Sequence, residues 1–114
     1  MTDSGIDVIR EAGANFFGVA SFGRRQVRGN GKLVLRGDGL TFTRTIPEKV
    51  FVFPRDRFER VETVRTHLGK SIFRKLLKLH FQNEDGVADS VAWYVKDLDG
   101  WVHALEELCS SGGQ

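Results

Sequence analysis

The hydrophobic pattern of this chain changes period once, near Asp97. Before it, from Lys32 onward, apolar residues fall in short stretches separated by turn residues, the spacing of a small sandwich or barrel. After it, Leu98, Trp101, Val102, Leu105, Leu108 and Cys109 recur at steps of three and four, the period of one amphipathic helix. Strands first and a single helix last leave no βαβ alternation, which excludes parallel nucleotide-binding sheets. The pattern predicts a mainly β fold, a small antiparallel β-barrel or sandwich of six to seven strands capped by one C-terminal α-helix.

Turn chemistry sets the expected strands. Lys32 to Arg36 is followed by Gly37-Asp38-Gly39, and Asp-Gly supplies the positive φ angles of a tight hairpin into Leu40 to Thr43. Ile46-Pro47-Glu48-Lys49 makes a second turn, because Pro47 fixes its own φ and has no N–H to donate. Val50-Phe51-Val52-Phe53 is apolar on both faces and reads as a strand buried on both sides, or with one aromatic row turned to a partner. Phe58, Val61 and Val64, spaced by three, predict a short helical turn entering a strand. Leu77, Leu79 and Phe81 pair with Val91 to Val95 across Asn83-Glu84-Asp85-Gly86. At the start, Ile6, Ile9 and Arg10 read as a short helix after Ser4, and Phe16 to Ala20 as the first strand. Residues 1–14 are thus expected to be an N-terminal extension or short helix, 15–110 one domain, and 111–114 a flexible tail. Asp97 caps the final helix, Gly112 and Gly113 end it, and Trp101 suits it to plug an open barrel end.

A chain of 114 residues that is 40% hydrophobic can build one core without metal or disulfide staples. It contains no apolar run near the ~20 residues of a membrane span, and Met1 to Ser21 lacks a signal-peptide pattern. The lone Cys109 excludes an internal disulfide, fits a reducing cytoplasm and reads as helix packing. The net charge of +2 conceals a segregation: residues 12–80 hold 15 basic and 5 acidic groups, whereas residues 81–114 hold 1 and 7. Kept on separate faces, these stretches make a positive face for phosphates, lipid headgroups or nucleic acid; interleaved, they make an ordinary solubilising surface.

Four segments carry a family resemblance. They are Gly29-Asn30-Gly31-Lys32-Leu33-Val34-Leu35 with Leu40-Thr41-Phe42; Phe53-Pro54 with Phe58 and Val61-Glu62; Leu76 to Phe81 with Asp89 to Val95; and Trp101 with Leu105. In this order they resemble the pleckstrin-homology-like superfold, and within it the GRAM-like and small bacterial branches, over residues 29–108. Arg55 stands where GRAM-like sequences usually carry an apolar residue, and the phosphoinositide-binding Lys-x-Arg pattern is only loosely echoed by Arg24, Arg25, Arg28 and Lys32. The resemblance implies a scaffold for lipids, peptides or other domains.

The first candidate site is Phe22 to Lys32, where Arg24, Arg25, Arg28 and Lys32 lie among three glycines that let backbone amides approach an anion. Arg44 and Lys49 are expected to add to its field. The competing reading has the glycines bending a strand and the arginines solvated. The second candidate is His67 to Lys75, with Lys70, Arg74 and Lys75, as a basic loop for a headgroup or an acidic peptide, or merely a solvated one. Its Gly69-Lys70-Ser71 is not a P-loop, since Val64 stands where a Gly is required and a strand follows instead of a helix. His67, His80 and His103 show no metal-ligand spacing, and no nucleophile elbow or carboxylate pair points to catalysis. No RNP-type motif points to nucleic acid. The expected role is a non-catalytic binding module without cofactor or metal, cytoplasmic or peripheral at a membrane, docking anionic lipid headgroups. The alternative is protein interaction or self-association through a strand edge or the groove beside the helix.

Overall fold

In a computed structural model, which describes residues 8–23, 29–67 and 74–112, side chains alternate between a buried face and an outer face along most strands. Leu33 and Leu35 of β2 (Gly29–Arg36) and Leu40 and Phe42 of β3 (Gly39–Arg44) point inward, while their neighbours stay accessible. With β1 (Val8–Val19), β4 (Lys49–Pro54), β5 (Phe58–Val64), β6 (Leu76–Gln82) and β7 (Ala88–Tyr94), they form one antiparallel seven-stranded sheet of order β4-β3-β2-β1-β7-β6-β5. A single helix, α1 (Leu98–Gly112), follows. The mainly β architecture closed by one terminal helix is as expected from the change of period.

Two meanders, β1 to β4 and β5 to β7, meet along β1. This 12-residue strand is long enough to pair with β2 from Val8 to Phe16 and with β7 from Asn15 to Val19. Its register shifts between Phe16 and Gly18, so Phe17 faces outward while Phe16 and Val19 join the main core. That core stacks Phe16, Phe42, Phe51, Phe53 and Trp93 beneath Trp101 and Leu105 of α1. Phe53 of β4, one terminal strand of the sheet, meets Phe81 of β6, the strand next to the other terminal strand, edge-on at 5.0 Å. Arg10 holds the helix down: its guanidinium pairs with Asp97 at 2.7 Å and lies 5.8 Å from the Trp101 ring. Asp97 also accepts a hydrogen bond from the Gly100 amide, and these contacts keep its carboxyl below the ordinary carboxylate range.

Three local expectations are corrected. Ile9 and Arg10 belong to β1 and not to a short helix, because β2 pairs Arg36 with Val8 and Leu35 with Arg10 across an irregularity at Ile9; Ile6 lies outside the described residues. Phe58, Val61 and Val64 are themselves strand residues, preceded by a single 3-10 turn at Arg55–Arg57. A register shift between Phe58 and Arg60 lets Phe58 and Val61 pack on the same main core, while Val64, three residues on in regular strand, faces the other way into a smaller outer cluster of Phe17, Leu76 and Ala92. Finally, β4 is a terminal strand and is not buried on both sides; Phe51 and Phe53 are buried, whereas Val50 and Val52 are 53% and 64% exposed.

On the outer side of the β5–β6 pair, His80 Nε2 donates to Glu62 Oε2, and Arg60 lies 3.5 Å from the same oxygen. The His80 hydrogen bond, followed by the charges of His80, Arg60 and Lys78, lowers the Glu62 pKa below its ordinary value of 4.5. A depressed carboxylate favours the folded state above its unfolded pKa, and that advantage vanishes as pH falls through the folded value. Wild type is therefore expected to lose its stability margin over Glu62→Gln as pH is lowered below 4.5, read from urea midpoints across pH. A margin constant from neutral to strongly acidic pH would overturn this.

Candidate functional site

One end of the molecule gathers several connections: a 3-10 turn at Ala20–Phe22 after β1, the start of β2, the β3–β4 turn at residues 45–48, and the β6–β7 turn at residues 83–87. Each is braced by polar contacts. Asp89 Oδ1 accepts from the Ser21 amide at 2.9 Å, fixing the 3-10 turn to β7. The Thr45 amide donates to the Asn30 carbonyl at 3.0 Å, and Arg44 Nε donates to the Pro47 carbonyl at 2.9 Å, so the β3–β4 turn is held from both sides. Asn83 Oδ1 accepts from the Asp85 and Val87 amides, closing an Asx turn.

Between β4 and the β6–β7 turn lies a groove of about 530 Å³, lined among others by Phe22, Lys49, Val52, Arg57, Asp85 and Asp89. Acidic and basic groups meet here, since Glu84 and Asp85 of the β6–β7 turn line the same groove as Lys49 and Arg57. Lys49 Nζ lies 5.6 Å from the Phe22 ring and 5.1 Å from that of Phe51, with its charge at the surface. Two large apolar side chains are exposed at this end: Phe22, which lines the groove, is 56% exposed, and Ile46, in the β3–β4 turn beside the exposed Glu48, is 79% exposed.

The sequence-predicted residues divide into two groups. Arg24, Arg25, Arg28 and Lys70 lie outside the described residues. Lys32 is a strand residue of β2 with a partner of its own, Glu11 of β1 at 3.2 Å. Gly29 and Gly31 are also in β2, paired with Phe16 and Ala14, so they belong to a sheet ladder and not to an anion-binding loop. Arg44 does not add to an open field; it is 7% exposed, turned into the β3–β4 turn and over the Phe51 ring at 5.7 Å. Arg74 spreads over Tyr94 at 5.9 Å, and Lys75 is exposed just before β6. The stem of this second basic segment is anchored: His67 is buried and its Nε2 donates to the Gly18 carbonyl at 2.9 Å. Gly18 is in the last turn-ward stretch of β1, so the stems of the two basic segments are tied together.

The sequence reading placed Phe22 at the start of the first candidate segment and Ile46 in the second turn, but it did not expect either side chain to be exposed. The signal was present in both cases, since an apolar residue beside Pro47 in a turn, or just before Gly23, has no strand neighbour to pack on. Cys109 is half-buried on α1, and burial, followed by the nearby Glu106 charge, raises its thiol pKa. Among the described residues no helix is long and apolar enough to cross a membrane. No family model and no curated protein matches the chain.

Proposed function

We propose that the chain is a non-catalytic binding module of pleckstrin-like build that docks on anionic lipid headgroups at the cytoplasmic face of a membrane, through its two basic segments. The observation that carries this reading is the His67–Gly18 hydrogen bond. It joins the segment bearing Lys70, Arg74 and Lys75 to the strand end that leads into Arg24, Arg25 and Arg28. Lys49, exposed beside Phe22, is a further cation next to the connection that leads into Arg24. Lys32 contributes least, because Glu11 already neutralises it. Each cation near an anionic surface supplies about 1 kcal/mol, so several must act together.

Co-sedimentation with phosphatidylcholine vesicles, with and without phosphatidylserine, tests this. The expected result is binding to the anionic vesicles alone, weakened by salt and lost when Arg24, Arg25, Arg28 and Lys70 are all replaced by alanine. Binding indifferent to salt or to the four replacements would overturn it.

A second reading rests on β4, the end of the sheet, whose Val50 and Val52 face outward. Exposed apolar side chains on a terminal strand suit edge-to-edge pairing with a second copy. A concentration-dependent dimer in analytical ultracentrifugation that Val52→Lys abolishes is the outcome expected there, and a monomer at every concentration would exclude it.

A further inference from the structure

We infer that the free edge of β4 and the groove beside it take one extended strand of a basic peptide, paired main chain to main chain. The inference stands apart from lipid docking and gives the β4 edge a different occupant from a second copy of the chain.

The main chain points to a strand. The Arg55 amide donates to the Asp38 carbonyl at 2.9 Å, in register with the β3–β4 ladder. Antiparallel pairs alternate between bonded and unbonded, so Phe53 and Phe51 spend their amides and carbonyls on β3, while those of Val52 and Val50 turn to the free edge. The ladder on the other side of β3 agrees. There the Thr45 bond to Asn30 commits Thr43 and Thr41 to β2, which leaves Phe42 and Leu40 to bond β4. Pro54 is next along the open edge and has no N–H to offer, so the open run ends there. All six residues of β4 line the groove although their side chains alternate between two faces, so the groove follows the edge of the strand.

The groove suits a single strand. Its floor holds Phe51, Phe53 and Phe81, and its far wall is the β6–β7 turn. Arg57 Nη1 donates to the Asn83 carbonyl and fixes that wall against the connection after β4. A cleft walled on both sides accepts one extended segment more readily than the edge of a whole sheet, and strand addition to an open edge gains its affinity from the main chain.

Charge selects among peptides. In the lining, Glu84, Asp85 and Asp89 outnumber Lys49 and Arg57, and Glu48 lies exposed beside Lys49. Glu84 and Asp85 are exposed and have no ion-pair partner among the described residues, whereas Arg57 is engaged by Asn83 and Lys49 lies over the rings of Phe22 and Phe51. An incoming Lys or Arg finds a carboxylate, and an incoming acid is repelled. The partner segment therefore alternates. Its apolar side chains face the phenylalanine floor, and the stems of its Lys or Arg lie along the exposed Val50 and Val52 with their heads toward Glu84 and Asp85.

The probe is a fluorescein-labelled Val-Lys-Val-Lys-Val-Lys amide, compared by fluorescence polarisation with its Val-Glu counterpart and with versions N-methylated at every Val or at every Lys. The Val-Lys peptide should bind and the Val-Glu peptide should not. One N-methylation pattern should weaken binding about tenfold and the other be tolerated, because only one set of amides faces β4. The double variant Glu84→Lys, Asp85→Lys should reverse the preference between the two peptides. Val52→Pro removes an outward amide that β3 does not use, and should weaken binding about tenfold with the circular dichroism spectrum unchanged. In amide exchange followed by NMR, Val50 and Val52 should exchange fast in the free protein and slow on adding the Val-Lys peptide, with Phe51 and Phe53 protected throughout. No binding of the Val-Lys peptide, or full affinity in both N-methylated versions, would overturn the proposal. Concentration-dependent protection of Val50 and Val52 without peptide would overturn it as well and hand the edge to a second copy. None of these results bears on lipid docking, which is read from vesicles without peptide.

Discussion

Truncating Trp93 to alanine is expected to lower unfolding free energy by about 4 kcal/mol, in the range for removing a large aromatic from a core that cannot collapse to fill the space. Trp93 is fully buried, with Phe53 against it at 5.7 Å and 87°, Phe42 at 6.0 Å and Phe16 at 6.5 Å. These rings come from β4, β3 and β1, so the indole ties the second meander to three strands of the first. Its Nε1 has no hydrogen-bond partner among the described residues. Trp93→Phe therefore forfeits volume but no hydrogen bond, and should cost only about 1.5 kcal/mol. Urea denaturation of the three proteins decides the matter, and equal losses for alanine and phenylalanine would show that the ring volume is not what stabilises this position.

Replacing Gly39 by alanine should cost about 3 kcal/mol, from backbone strain and overlap together. Gly39 opens β3 directly after the Gly37-Asp38 turn with φ +153°, a conformation that side chains disfavour. A Cβ there would stand 2.5 Å from the Phe53 carbonyl oxygen and 3.1 Å from Pro54 Cα, both backbone atoms of the neighbouring strand. Gly86, with φ +76° and no atom within 4 Å of a Cβ, isolates the strain alone, and Gly86→Ala should cost about 1 kcal/mol. Comparable losses at the two glycines in thermal or urea unfolding would refute the overlap argument at Gly39.

Periodic features were the legible ones. Leu33, Leu35, Leu77 and Leu79 alternate because one face of their strands is wet, and the Trp101 to Leu108 spacing marks a helix with one dry side. Features that depend on which strand lies at an edge were not legible, because sheet order is set by distant partners. Val50 and Val52 look like core residues until β4 is known to be terminal. Val64 breaks alternation only because a second apolar layer exists outside the sheet, with Phe17 and Leu76. At the candidate site, composition identified the cations but could not tell an open charge from an engaged one. Lys32 and Arg44 have the same formal charge as Lys49, and only the fold shows Glu11 beside the first and the Pro47 carbonyl beside the second.

The position of β1 between β2 and β7 has a consequence for biosynthesis. Residues 8–54 can pair strand by strand as they leave the ribosome, each with the segment just made before it. The other edge of β1 must wait for Val91 to Tyr94 of β7, the last strand to be synthesised. Contacts between segments so far apart in the chain form slowly. A nascent chain halted before Ala88 therefore carries a formed hairpin sheet with one open side, a surface for chaperones to guard until the second meander arrives to close it.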